Sequence, residues 1–200
     1  MNRIKRHILC LLFITINLFC LQKIEVNAWP GMDGWNIENM KTYNDFQYMY
    51  MPETDSITIV GYVGTEEVVV VPSEIDGKCV KEIVNFDDYA NYKWNQPNEA
   101  IKEIYIPEGV TSIGGFHNCV NVEKVHFSNS VQIIESEAFA NCEKLKKITI
   151  KGTKVKKIGK KAFYLANKKV IFDVPNKCIK KYKNMIVKSK SFKDGKIKIK

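Results

Sequence analysis

The sequence predicts an α/β solenoid: a right-handed superhelix on a short-stranded parallel sheet, with few short helical turns and a β-hairpin-like N-terminal cap. Three observations predict it. A unit of 21 to 25 residues occurs three times in succession. Apolar residues hold the same positions in every unit. The stretches on either side are irregular versions of that unit, as terminal coils must be to present a polar end.

The chain opens with Arg3, Lys5 and Arg6, then an apolar run from Ile8 to Leu21 broken only by Thr15 and Asn17. Val26 and Ala28 place small residues ahead of a cleavage point. Residues 1–28 therefore read as a secretory signal peptide. The run is shorter than the roughly 20 apolar residues a spanning helix needs, which argues against an uncleaved anchor. Lipid attachment at Cys20 would need a small residue where Phe19 stands. The expected mature chain begins at Trp29, has no transmembrane span, and keeps 172 residues, enough for one domain with a core. Its expected location is secreted or cell surface.

Residues 29–53, with Pro30, Gly31 and Gly34, read as a lead-in whose Trp29 and Trp35 pack on the cap, the alternative being that they anchor a partner. A repeat domain is expected over 54–187. Ser56 to Pro72 reads as two strands joined by a turn around Gly61 to Gly64, forming the cap. An entry coil follows at 66–100, with Val69 and Val71 in its strand and Ile75, Val80 and Ile83 in the core. It carries an irregular insert at 85–100.

The three units run 101–121, 122–144 and 145–169. Each opens on an apolar triplet: Ile101, Ile104 and Ile106; Val122, Val125 and Phe127; Leu145, Ile148 and Ile150. That spacing makes a short strand with one buried side. A second apolar pair follows in each: Val110 and Ile113, Val131 and Ile134, Val155 and Ile158. Then come Phe116, Phe139 and Phe163, and three residues later Cys119, Cys142 and Ala166. A single such coil cannot bury its apolar side, so coils stack and their strands form a parallel sheet. "SEAF" and "KKAF" have the composition for a short helical turn. Residues 170–187 read as a closing strand and helical cap, and 188–200 as a Lys-rich tail.

The recurring Cys decides between chemistry and packing. A metal site cannot exchange a thiolate for the methyl of Ala166, whereas a small buried slot can. Zinc also favours tight ligand pairs, and His117, His126, Cys119 and Cys142 supply none. The reading is no metal, no cofactor and no catalytic residue. Four cysteines follow residue 28: Cys79, Cys119, Cys142 and Cys178. They are expected to be mostly reduced and buried. Cys79 and Cys178 lie in opposite terminal coils, too far apart for a bridge. A Cys119–Cys142 disulfide is the competing possibility in an oxidising compartment.

"IKEIYIPEGVTSIGGFHNC" and "VQIIESEAFANCEKLKKITI" closely resemble the units of bacterial surface protein A-like (BspA-like) leucine-rich repeat proteins. The resemblance covers about Thr54 to Met185. It departs at Ser128 and Lys151, where Pro107 stands in the first unit, and in the insert. It implies a leucine-rich-repeat-like fold, a secreted or surface-held protein, and a role in adhesion and host or matrix binding.

A solenoid offers an extended surface rather than a cleft. The expected outward strand residues, and candidate partner-binding face, are Lys102, Glu103, Tyr105, Glu123, Lys124, His126, Lys146, Lys147 and Thr149. Charge is polarised along the chain. Residues 145–200 hold 20 Lys and two acids, while 29–144 hold 7 Lys and 19 acids. Lys180, Lys181, Lys183, Lys188 and Lys190 are therefore candidate contacts for a polyanion such as an acidic glycan or cell-envelope polymer. Export and the lack of aromatics within the basic part argue against a specific nucleic-acid partner. No nucleophile elbow, His-Glu-x-x-His or phosphate loop occurs, so an enzyme is the weaker alternative. The expected protein is a monomeric binding or adhesion module.

Overall fold

Each of the three repeat units supplies one strand to each of two sheets. The computed structural model describes residues 39–86, 98–167, 169–192 and 198–200, all within the compact unit Ile37–Lys200. The signal segment, Trp29, Trp35 and insert residues 87–97 lie outside the described residues.

The strands are, in order, β1 (Lys41–Tyr43), β2 (Phe46–Met51), β3 (Ser56–Tyr62), β4 (Val68–Val70), β5 (Glu74–Ile75), β6 (Lys78–Ile83), β7 (Glu103–Ile106), β8 (Ser112–Ile113), β9 (Lys124–Phe127), β10 (Ile133–Ile134), β11 (Lys147–Ile150), β12 (Lys157–Ile158), β13 (Ile171–Asp173) and β14 (Lys198–Ile199). One helix, α1 (Ile179–Lys188), lies between the last two. The three expected triplet strands, β7, β9 and β11, join the entry strand β4, the closing strand β13 and β14, which lies in the expected tail, in a six-stranded sheet of order β14-β13-β11-β9-β7-β4, all paired in parallel. The second apolar pairs, which the sequence reading left without an element, each end in a two-residue strand, with Ile113 in β8, Ile134 in β10 and Ile158 in β12. They join the other sheet in the order β1-β2-β3-β6-β8-β10-β12. The result is a parallel-sheet solenoid of about five turns with one short helix.

Apolar columns follow the register. Ile83, Ile113, Ile134 and Ile158 are in line across one sheet. Ile104, Val125, Ile148 and Phe172 are in line across the other. All are buried, as β-branched and aromatic residues on the inner faces of stacked strands should be. An aromatic series crosses the core from Phe46 through Tyr62, Phe86, Phe116, Phe139 and Phe163 to Phe172 and Phe192. Successive ring centroids lie 4.4 to 6.1 Å apart. Phe86 belongs to the core, not to the insert where the sequence reading puts it.

The third side of each coil is built from hydrogen-bonded turns instead of the helical turn expected for "SEAF" and "KKAF". Asn118, Asn141 and Leu165, each two residues past the column Phe, have φ near +60°. Glu137 and Lys161 are left-handed too. A right-handed helix cannot continue through such residues. The freed amides instead bond to the next coil: Phe116 N–H to Ala138 O, Phe139 N–H to Ala162 O, and Asn141 N–H to Tyr164 O.

The cap also differs from expectation. β3 and β4 do not pair with each other; they enter different sheets. The hairpin lies one strand earlier, between β2 and β3, around the 3-10 turn Pro52–Thr54. β1 adds antiparallel to β2, so Lys41–Tyr43 and Phe46–Met51, inside the lead-in, are sheet residues. At the other end α1 buries Tyr182 and Ile186, and the Tyr182 hydroxyl donates to Gly152 O at 2.8 Å.

Cys119, Cys142 and Cys178 are buried and outside any disulfide, but Cys79 is exposed, correcting that expectation. It stands beside inward Val80 on β6, so strand alternation turns it out. Burial pushes the Cys142 thiol well above its ordinary range. An alkylating reagent should therefore label Cys79 quickly in the native protein. The other three should react only at the unfolding rate. Fast labelling of Cys142 would contradict its place in the core.

Candidate binding surface

The outward residues of the six-stranded sheet form two rows, because side chains on parallel strands in register stand side by side. One row runs Val68, Glu103, Lys124, Lys147, Ile171 and Lys198. The other runs Val70, Tyr105, His126, Thr149 and Asp173. Residues that the sequence scatters over a hundred positions thus share one face.

Its centre is a Glu103 cluster. Tyr105 OH donates to Glu103 Oε1 at 2.7 Å, His126 Nε2 lies 2.8 Å from the same oxygen, and Lys124 Nζ donates to Oε2 at 3.0 Å. The Tyr105 and His126 rings stack with centroids 4.4 Å apart and planes 7° apart. Hydrogen bonds from Tyr105 first, then Lys124 and His126, hold the Glu103 carboxyl down at about 2. The cluster is therefore charged and locked throughout the neutral range.

This shift makes a pH prediction. The folded value lies below the ordinary 4.5, so the unfolded chain binds the proton more readily. The stabilisation is complete above pH 4.5 and is lost as pH falls toward 2. After solvent screening it amounts to about 1 kcal/mol. Melting curves of wild type and Glu103→Gln should differ near pH 6 and converge near pH 2. A constant difference would contradict the cluster.

Toward β4 the face turns apolar. Val70 is 65 % exposed, Val68 53 % and Tyr105 39 %. The sequence reading includes Tyr105 but not the two valines. Their signal was present in "EEVVVVP", where alternation sends Val69 and Val71 inward and Val68 and Val70 outward.

The charged members are engaged in a stagger. Lys102 pairs with Glu67, Lys124 with Glu103, and Lys146 with Glu123, each reaching back to the preceding coil. Lys157 does the same to Glu135 on the other sheet. Lys147 pairs forward with Asp173. Thr149 continues the second row, and its buried Oγ1 has no hydrogen-bond partner. Lys180, Lys181, Lys183, Lys188 and Lys190 stand elsewhere, on and just past α1, and all are exposed. Among the described residues, no group of three or more His, Cys, Asp or Glu could hold a metal ion. Nor is any helix among them long and apolar enough to cross a membrane.

The family model of the BspA type leucine rich repeat region matches residues 91–199 in six copies. The chain belongs to the BspA-type leucine-rich repeat family. A search of curated proteins finds no match. Among solved structures, a leucine-rich repeat protein from Bacteroides ovatus ATCC 8483 is 23 % identical with a TM-score of 0.49, covering 68 % of this chain and 38 % of its own. A T. pallidum leucine-rich repeat protein is 24 % identical with a TM-score of 0.45, covering 68 % of this chain and 71 % of its own. A leucine-rich cell surface protein from Faecalibacterium prausnitzii A2-165 is 20 % identical with a TM-score of 0.43, covering 68 % and 45 %. The chain thus spans well under two thirds of the first of these. BspA-type repeats are, as a class, binding modules, and their carriers are typically cell-surface proteins.

Proposed function

We propose that this chain is a secreted or surface-associated adhesion module that binds a protein partner through the outward face of the six-stranded sheet and performs no catalysis. The observation that carries the reading is the β4-side corner of that face. There exposed Val68 and Val70 adjoin the stacked Tyr105–His126 pair, whose polar edges are fixed by Glu103. An aromatic anchor beside apolar area, with polar groups already ordered, is the anatomy of a protein-binding hot spot. Ordering the cluster in advance lowers the entropy lost on binding. Family membership favours the same reading.

The test is a binding screen of the mature chain against purified extracellular-matrix proteins, neutral glycans and duplex DNA at two salt levels. The expected result is saturable binding to a matrix protein that persists at the higher salt, because its core is apolar. Binding to DNA alone, or to nothing in the panel, would overturn the proposal.

A further inference from the structure

The stagger of ion pairs divides the lysines of the C-terminal third into two populations. Lys146, Lys147 and Lys157 are spent on Glu123, Asp173 and Glu135 inside the coil stack. Those of α1 are not. Lys180, Lys183, Lys188 and Lys190 make no ion pair with any described residue. Lys181 reaches only the Thr153 carbonyl, at 3.5 Å, and the Tyr182 ring.

Helical spacing gathers these charges. Tyr182 and Ile186 are buried against the core, and about 100° per residue then puts Lys180, Lys181 and Lys188 on the side of α1 away from them, with Lys183 exposed on the flank beside Ile186. No acid stands in the first turn, and Lys180 and Lys181 sit at the positive end of the helix dipole. That placement costs stability, which a neighbouring anion would offset.

We propose that the outward side of α1, carried by Lys180, Lys181, Lys183 and Lys188 with Lys190 beyond it, binds a linear acidic glycan. Lysines act as strongly hydrated point charges without the forked geometry of arginine. They suit a polymer with charge spread along it better than one clamped phosphate. A lipid surface fits less well, because the apolar side of α1 is already committed to the core and cannot enter a bilayer. Nucleic acid fits less well too, because Tyr182, the aromatic of this helix, is buried and cannot stack on bases. The site lies on α1, which packs against β12 of the other sheet, so it stands or falls separately from the Tyr105 face.

The probes are alginate, a polyuronate, and heparin, a sulfated glycan, with anionic vesicles and duplex DNA as competing arms. The mature chain should bind a glycan at about 50 mM salt. Four lysine contacts imply roughly hundredfold weakening by about 200 mM. The variant K180Q/K181Q/K183Q/K188Q keeps helix propensity and should abolish retention. The variant K151Q/K154Q/K156Q/K157Q loses the same charge from the third coil and should retain it. Circular dichroism establishes that both are folded. Equal weakening by the two variants would show net charge alone at work and overturn the site. So would stronger binding to vesicles or DNA, or no glycan binding by the wild type. Tyr105→Ser should leave the glycan result unchanged.

Discussion

Replacing Phe139 with alanine lowers the unfolding free energy by about 3–5 kcal/mol. Phe139 is fully buried in the middle coil. Its ring stacks on Phe116 at 5.1 Å and on Phe163 at 5.8 Å, and meets Phe127 at 5.8 Å. The turn backbone around it is fixed by bonds to the next coil, so the site cannot collapse around a truncated side chain. A cavity therefore remains, and its cost adds to the lost transfer energy. In a solenoid each coil touches only its neighbours, so the damage falls on both interfaces of one coil. Urea denaturation should show a lower midpoint, with a second transition if the stack splits there. An unchanged midpoint would remove Phe139 from the core.

Gly115→Ala should cost about 2–4 kcal/mol, from about 1 kcal/mol of left-handed strain and about 1–3 of overpacking. Gly115 has φ +76°, and a Cβ there would lie 2.2 Å from Asn85 Cα and 2.3 Å from Val84 O. Both obstacles are backbone and cannot rotate away. Gly77 makes the control, since it also has positive φ, at +74°, but nothing lies within 4 Å of its would-be Cβ. Gly77→Ala should therefore cost only the strain, about 1 kcal/mol. Equal melting temperatures for the two variants would mean that the entry coil and the first unit are not in contact at Gly115.

The contrast between those glycines shows where the sequence was legible. The columns of Ile, Val and Phe could be read because each repeats at one offset within a unit, and burial follows from periodicity. Phe86 obeys the same rule, three residues after Ile83 as Phe116 is after Ile113. The residues beyond it hid the match. Pairing was less legible. Runs such as "SITIV" and "EVVVV" both read as strands, but composition does not say whether they pair with each other or join separate sheets. That depends on partners such as Val80 and Ile104, far along the chain. The turns were missed because helix propensity in "SEAF" is weak against the left-handed residue that ends each turn. The ion-pair stagger was invisible for a similar reason. Lys102 and Glu67 are 35 residues apart, and only coil register brings them together. That register also recasts the charge polarity. Lys146 and Lys157 of the third coil answer Glu123 and Glu135 of the second, whereas the lysines of α1 have no carboxylate partner among the described residues.

The outward sheet face remains the central claim, and one paired measurement addresses it. Titrate wild type and the variant Val70→Asp, Tyr105→Ser against the matrix protein that the screen identifies, by calorimetry at physiological salt. Both positions are exposed, so the loss of stability should be about 1 kcal/mol, that of the Glu103 cluster, and the fold should be retained. Losing the aromatic anchor and placing a charge in the apolar corner should weaken binding by at least about tenfold. An affinity equal to wild type, with the fold intact, would contradict the assignment of this face as the binding surface.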